Sequence, residues 1–172
     1  MVLVRETVAG DWQALRDIRL EALRDAPTAF GSTYEREAHR GEADWRNWIS
    51  RGGTFLGYLP DLKTPDLKTP DLKTPEPAGL IGCYQEDPLT VELVSMYVRP
   101  RARGRSVGDA LVATVLDWAS KRSATTVHLW VTETNAPARA LYERCGFALT
   151  GEQQRLPSDP SVGEVAMSRT LP

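Results

Sequence analysis

The chain is poor in the residues that build disulfide frameworks and metal centres: its 172 residues include two cysteines and two histidines. Cys83 and Cys145 lie far apart in the sequence, so no disulfide scaffold is expected and a reducing cytoplasm is the simplest location. His39 and His128 are too few and too separated to predict a metal site. The fold is therefore expected to depend on a hydrophobic core.

Long apolar runs and a surplus of charge are also absent. No stretch approaches the roughly 20 apolar residues that cross a bilayer, and residues 1–6 do not resemble a signal peptide. The formal net charge is −2, with 21 Lys and Arg against 23 Asp and Glu, which does not favour binding to nucleic acid or to a membrane surface. We expect one soluble, cytoplasmic domain over residues 1–172, long enough to bury a core.

Hydrophobic periodicity divides the chain into helices and strands. Strands are expected at residues 2–7, 54–59, 78–84, 90–98, 126–132, 147–150 and 162–170, and helices at 11–24, 34–40, 42–50, 107–121 and 136–145. Asp11 is the expected N-cap of the first helix. The mostly apolar run at 90–98 is typical of a central strand covered on both faces. This order predicts an α/β or α+β domain around a mixed sheet.

Residues 61–75 form a perfect triple repeat of Asp-Leu-Lys-Thr-Pro. Proline at every fifth position forbids both a continuous helix and a central strand. We therefore predict a loop insertion in the connection between two antiparallel strands. A tolerated loop expansion is favoured over a recognition arm.

An Arg-rich turn at residues 98–108 is the most informative segment. A loop that leads into a helix exposes backbone N–H groups without intrahelical acceptors, and the helix dipole favours an anion there. The small residues Gly104, Ser106 and Gly108 permit close approach of a ligand. Guanidinium groups suited to phosphate oxygens surround the turn, at Arg99, Arg101, Arg103 and Arg105. The turn predicts a site for a phosphorylated ligand, and a pyrophosphate-bearing cofactor is the natural candidate.

Two blocks of the sequence resemble the GNAT superfamily of acyl-CoA-dependent N-acetyltransferases. The first, residues 103–108, reads Arg-Gly-Arg-Ser-Val-Gly and matches the family's signature at a strand-to-helix turn, except that Ser106 stands where Gly is usual. The second runs from Asn135 to Phe147 and carries Asn, Ala, Leu-Tyr and Gly-Phe at the family's spacings. Both blocks in this order and separation are specific to the family.

The resemblance implies a single N-acetyltransferase domain with a mixed, mostly antiparallel sheet, a splayed central strand pair and flanking helices. It implies acetyl-CoA as cosubstrate, bound partly through the backbone of the central strand. Asn135 would bind the pantetheine arm, cap the next helix, or do both. The cofactor-binding residues so implied are Met96, Val98, Arg103, Gly104, Arg105, Ser106, Val107, Gly108 and Asn135.

The departure at Ser106 has two interpretations. In the first, Ser106 is the N-cap of a capping box, with Asp109 reaching back to it, and replaces Gly without loss of the helix start. In the second, the site needs a positive φ or a phosphate contact there, and Ser weakens cofactor binding. The first is favoured, since Gly104 and Gly108 remain.

The resemblance also implies catalytic roles. Tyr142 matches the general acid that protonates the coenzyme A sulfur as it leaves. Glu92 matches the catalytic glutamate of the histone-modifying branch, and its apolar strand would raise its pKa toward the working range; a solvated strand-end carboxylate is the alternative. Glu133 is a second candidate base. Trp130 stands where the ribosomal-protein acetyltransferases place their base, and it cannot accept a proton.

The expected reaction is transfer of an acetyl group from acetyl-CoA to a primary amine of a small molecule, by direct attack in a ternary complex. Acetylation of a protein or peptide N-terminus or lysine, and a non-catalytic acyl-CoA-binding module, are the alternatives. A covalent acetyl-cysteine is not expected, because buried thiols are usually structural. The expected partner is a small amine acceptor, without nucleic acid or membrane, and a homodimer is the assembly considered.

Overall fold

The computed structural model describes residues 1–61 and 75–172, which contain seven strands and five helices. The strands are β1 (Leu3–Glu6), β2 (Thr54–Tyr58), β3 (Pro77–Asp87), β4 (Thr90–Val98), β5 (Thr126–Thr132), β6 (Ala148–Leu156) and β7 (Asp159–Thr170). The helices are α1 (Trp12–Asp25), α2 (Tyr34–Glu37), α3 (Glu42–Ser50), α4 (Val107–Ser120) and α5 (Ala136–Arg144). Across these described ranges, no helix is both long and apolar enough to cross a bilayer.

All seven strands join one sheet in the order β1-β2-β3-β4-β5-β7-β6. The central pair β4 and β5 is parallel, and the other neighbours are antiparallel. The predicted mixed, mostly antiparallel sheet is therefore confirmed. β2 and β3, the strands on either side of the pentapeptide repeat, are antiparallel neighbours as expected. Residues 62–74 of the repeat lie outside the described residues, so its loop conformation stays a prediction.

Helices cover both faces of the sheet and create two hydrophobic cores. The predicted apolar stripe of α4 packs on one face, where its fully buried positions include Leu111, Val112 and Val115. Helices α1 and α3 cover the other face through residues such as Leu15 and Trp45. Burial of each large apolar side chain contributes about 1.5–3 kcal/mol. Below, the two sides are called the α4 face and the α1 face.

Asp11 is the N-cap residue of α1, as expected, but its side chain makes no capping hydrogen bond to that helix. Its carboxylate accepts the Val8 backbone N–H at 2.7 Å and pairs with Arg5 at 2.7 Å. The residue thus closes the short 3-10 turn Ala9–Asp11 ahead of the helix. An N-cap prediction from residue type alone cannot distinguish these two adjacent starts.

β6 extends six residues beyond the strand predicted at 147–150, to Leu156. It is the edge strand of the sheet, and every residue before Leu156 is exposed. An edge strand that faces solvent carries polar residues and shows no apolar alternation. Periodicity therefore could not reveal the second half of β6.

α4 approaches the sheet most closely above Gly79 of β3. A Cβ atom on Gly79 would lie 2.8 Å from Leu111 Cδ1 and 3.0 Å from the Tyr97 backbone oxygen. These distances are shorter than a van der Waals contact allows. The absent side chain therefore sets the height of α4 over the sheet.

We expect Gly79→Ala to lower the free energy of unfolding by about 1–3 kcal/mol, because the strand oxygen cannot move away from an added methyl group. Denaturant unfolding measures the change. Gly10→Ala is the matched control, since no atom lies within 4 Å of a Cβ built on Gly10. Equal losses in the two variants would contradict the packing explanation.

Candidate active site

The central strands β4 and β5 pair over three positions and then separate. Their register ends at Glu92 opposite His128, although both strands continue. β4 also carries a bulge, where its register against β3 shifts between Leu80 and Gly82. Ser95 in this bulge has a φ of 58°, a left-handed conformation that costs a non-glycine residue about 1–2 kcal/mol. The bulge bends β4, and the backbone of its second half is left unpaired on the β5 side.

A cavity of about 870 Å³ lies between the end of β4, the turn at residues 103–108 and helix α5. We call this turn the cradle. Most of the residues predicted to bind the cofactor line the cavity, namely Met96, Val98, Arg103, Gly104, Ser106, Val107, Gly108 and Asn135. Arg105 is the exception. Residues distant in sequence are thus brought together around one cavity, which also reaches the end of α1 at Asp25 and the α1-face core residues Phe30 and Tyr97.

Ser106 is the N-cap of α4, but the predicted capping box is wrong. Its φ is 61° and ψ is 17°, and its side chain accepts no cap hydrogen bond. Asp109 does not reach back either, because Arg144 donates to its two carboxylate oxygens at 2.8 and 3.1 Å. The position requires the left-handed conformation, which explains why Gly is usual there. The Ser106 hydroxyl therefore leaves the first N–H groups of α4 available to a ligand.

Gly108 brings α4, α5 and β4 together beneath the cradle. A Cβ atom on this residue would lie 3.0 Å from Leu141 Cδ2 and 3.2 Å from Met96 Cε. The glycine is thus needed for packing between protein elements as well as for access to the backbone. Asn135 begins α5 on the opposite wall, where its side-chain oxygen accepts the Ala138 N–H at 3.3 Å. The expected capping role of Asn135 is present, and the residue also lines the cavity.

The four arginines around the turn are all bound to carboxylates, and they differ in access. Arg99 is only 4% exposed and is bound by Glu21, Glu76 and the Pro77 carbonyl. The expectation that Arg99 presents a free fork to phosphate is therefore wrong, because its donors hold β4 against neighbouring elements. Arg101 pairs with Glu76.

Arg103 and Arg105 remain accessible. Arg103 donates to the Val98 carbonyl and to Asp25, both at 3.0 Å. Arg105 donates to both oxygens of Asp61 at 2.7 and 2.8 Å, and the guanidinium holds the pKa of that carboxyl below its usual value. Both ion pairs are exposed and so are weak enough to exchange for a phosphate. In this arrangement Arg105 faces Asp61 rather than the cavity.

Tyr142 lies within the core of the α4 face and is 5% exposed. Its ring packs edge-on against Phe147, with the ring centres 5.8 Å apart. Burial raises the pKa of its hydroxyl above the usual value of a tyrosine. A tyrosine is protonated at neutral pH in any case, which is the state that a proton donor requires. Tyr142 does not line the cavity at the end of β4.

Glu92 is 7% exposed and lies at the last paired position before the strands separate. Its Oε2 atom is 2.7 Å from Nδ1 of His128. Burial raises the pKa of Glu92, and the hydrogen bond and charge of His128 oppose the rise only partly. Glu86 and Glu164 add to it through repulsion. The alternative of a solvated strand-end carboxylate does not describe this residue.

The other candidate groups have plainer surroundings. Glu133 is exposed and its carboxylate lies over Gly163, where an added Cβ would approach within 2.8 Å. Trp130 packs edge-on against His128, with ring centres 5.4 Å apart. Burial raises the pKa of the Cys83 thiol to about 12 and also raises that of Cys145. Neither thiol is an activated nucleophile.

Sequence reasoning missed the contact between His128 and Glu92. The two residues are 36 positions apart, and they meet only because β4 and β5 are parallel in one particular register. His128 was expected simply to pack on a strand. The sequence does place a histidine on the strand that follows the strand of Glu92. That position indicates a contact only when the register between β4 and β5 is known.

Comparisons with known proteins agree with this geometry. The sequence model of the Acetyltransferase (GNAT) family matches residues 12–147. Streptothricin acetyltransferase of Streptomyces lavendulae is 30% identical over 172 residues, which cover 96% of this chain and 79% of that protein.

Solved structures share the fold. An acetyltransferase from Salmonella typhimurium, solved with acetyl-CoA, has a TM-score of 0.73 at 16% identity and covers 100% of this chain and 95% of its own. Nourseothricin acetyltransferase has a TM-score of 0.57 at 27% identity, over 69% of this chain and 65% of its own. Ribosomal-protein-alanine N-acetyltransferase from Brucella melitensis has a TM-score of 0.72 at 17% identity, over 98% and 99%.

Sheet, cradle and family match together define an acyl-CoA-dependent acetyltransferase that uses acetyl-CoA. The chain belongs to the GNAT acetyltransferase family.

We expect Ser106→Gly to raise the free energy of unfolding by about 0.5–1 kcal/mol, because glycine adopts the left-handed conformation without strain. The dissociation constant of acetyl-CoA should change by less than about threefold, or roughly 0.6 kcal/mol, since the backbone that forms the cradle is unchanged. Thermal unfolding and calorimetric titration measure the two quantities.

Ser123→Gly is the matched control, because Ser123 also has a φ of 61° and does not line the cavity. It should give the same gain in stability and no change in binding. If Ser106→Gly alone tightened acetyl-CoA binding by about tenfold, or roughly 1.4 kcal/mol, Ser106 would be a defect of the site and not a tolerated replacement.

Proposed function

We propose that the protein transfers the acetyl group of acetyl-CoA to a primary amine of a small cationic molecule, by direct attack in a ternary complex. One observation carries this proposal: a buried carboxylate, Glu92, stands at the point where β4 and β5 separate. Lysine-like amines have a pKa near 10, so they are protonated at neutral pH and need a base before they can attack. The raised pKa of Glu92 brings its carboxylate closer to the range in which such a base works.

Glu92 does not line the cofactor cavity, so donor and acceptor can approach separately, as direct attack requires. The neighbours of Glu92 in β4, Val91 and Leu93, belong to the core of the α4 face. Since successive side chains of a strand alternate, Glu92 points to the α1 face. The amine would approach along the α1 face and the thioester from the cavity. They would meet in the gap between the two strands.

Backbone and phenol groups would then complete the reaction. The Met96 N–H is proposed to donate to the acetyl oxygen as it gains negative charge. Such a hydrogen bond lowers the activation free energy by about 3 kcal/mol. The amine proton goes to Glu92, directly or through a water. Tyr142, protonated at neutral pH, is proposed to give its proton to the sulfur when the carbon–sulfur bond breaks.

The carboxylates near Glu92 on the α1 face favour a cationic acceptor. Glu164 lies on β7 opposite Thr132 and close enough to Glu92 to raise its pKa. Glu152 on β6 lies beside His128. Carboxylates grouped around a site attract an ammonium group before it is deprotonated. The similarity to streptothricin acetyltransferase makes streptothricin the first acceptor to test.

We expect Glu92→Gln to reduce kcat by about 100-fold or more, because the amide is nearly isosteric with the carboxylate and cannot accept the amine proton. The dissociation constant of acetyl-CoA should be unchanged, since Glu92 does not line the cavity. Glu133→Gln is the matched control and should retain activity. If Glu133→Gln is inactive and Glu92→Gln is active, the two residues exchange roles.

An acceptor screen tests the substrate class. With acetyl-CoA as donor, release of free thiol is followed for streptothricin, polyamines, aminoglycosides, amino acids and peptides. We expect the highest kcat/KM among the small cationic amines, because the acidic α1 face attracts them. A higher value for a peptide N-terminus would overturn the proposed acceptor class while leaving the acetyltransferase chemistry intact.

A further inference from the structure

His128 lies between two carboxylates on the α1 face. Its Nδ1 atom is 2.7 Å from Glu92 Oε2, and its Nε2 atom is 3.7 Å from Glu152 Oε2. Its ring is also held edge-on by Trp130. The two ring nitrogens therefore face one buried and one exposed carboxylate, and the ring has little freedom to turn.

We propose that His128 is a positioning residue for the reaction: its Nδ1–H donates to Oε2 of Glu92, which holds the buried carboxylate in place and favours its ionised form, so that it can accept the amine proton. This inference rests on the proposed role of Glu92 as the base. It adds the requirement that His128 contacts Glu92, which the assignment of Glu92 as the base does not by itself contain.

The surroundings of Glu92 explain why such a partner is needed. Burial disfavours its charged form, and the carboxylates of Glu86 on β3 and Glu164 on β7 disfavour it further. Tyr84, opposite Glu92 on β3, is neutral, since burial and the charge of Glu92 raise the pKa of its hydroxyl. A hydrogen-bond donor beside the carboxylate favours its ionised form, which is the form that can act as a base.

The buried cation on α1, Arg19, is bound to another carboxylate. Arg19 donates from Nε and Nη2 to the two oxygens of Glu37, both at 2.9 Å, and its guanidinium also contacts Ser95 at 3.5 Å and lies over the rings of Phe30 and Trp48. Among the described residues, His128 is thus the side chain in hydrogen-bond contact with Glu92. On its far side lies Glu152, whose side chain is 64% exposed.

The first test is an NMR measurement of the imidazole resonances, which needs neither cofactor nor acceptor. The chain has two histidines, so His39→Asn assigns the signals of His128. Because a carboxylate accepts a stronger hydrogen bond than a neutral amide does, Glu92→Gln should weaken this bond and move the Nδ1–H resonance of His128 upfield. Glu152→Gln should move it less, since that pair is longer and more exposed.

The second test is the pH dependence of kcat/KM for streptothricin. His128→Asn retains a hydrogen-bond donor near the Nδ1 position but cannot carry a charge. The pKa of Glu92 should then rise further, which moves the acidic limb of the profile to higher pH by about half a unit or more. The KM for acetyl-CoA should stay within about twofold, and His39→Asn, an exposed control, should leave the profile unchanged.

The outcomes separate this inference from the proposed function. If Glu92→Gln abolishes turnover but the Nδ1–H resonance of His128 and the His128→Asn profile do not move, Glu92 is the base and His128 is merely structural. If Glu92→Gln remains active, the base assignment fails, and the positioning role of His128 fails with it. A His128→Asn variant that loses activity only in proportion to its loss of thermal stability also overturns the positioning role.

Discussion

The separation of β4 from β5 is the constraint on which the rest of the structure depends. The parallel pairing stops at Glu92 and His128, and the bulge at Ser95 bends β4 away at a cost in backbone strain. A fully paired sheet would leave no unpaired backbone at its centre and no passage between its faces. The gap therefore leaves backbone groups of β4 without a strand partner, and it is where we propose that donor and acceptor meet.

The cradle depends more on its backbone than on its arginines. Arg103 and Arg105 are neutralised by Asp25 and Asp61, so a phosphate must replace a carboxylate to bind them. Such an exchange of one anion for another gains less than binding to a free cation would. The N–H groups at the start of α4 are not occupied in this way, because the Ser106 side chain accepts no hydrogen bond from them. They supply the part of anion recognition that does not require an existing ion pair to open.

Most features set by neighbours in sequence could be predicted, the capping hydrogen bonds at Asp11 and Ser106 excepted, and features set by register could not. The cradle, the Asn135 cap and the buried stripe of α4 each arise within about a dozen residues, and the structure contains all three. The contact between Glu92 and His128 requires the relative register of two strands. The burial of Arg99 depends on Glu21 and Glu76, which approach it from two other elements. The residue type predicts a positive charge at position 99. Which groups the Arg99 guanidinium binds depends on tertiary packing.

The two faces of the sheet are specified in different ways, and this affects how the protein selects its substrates. The donor side comprises the cradle and Asn135. It is formed by segments that are short in sequence, namely one turn and the first residues of α4 and α5. The acceptor side is assembled from β4, β5, β6 and β7, each contributing one polar side chain to the group formed by Glu92, His128, Glu152 and Glu164. A substitution at any of these positions changes the charge that an amine meets without disturbing the cradle. Burial raises the pKa of Glu92, and the same register that buries the carboxylate places the His128 ring beside it.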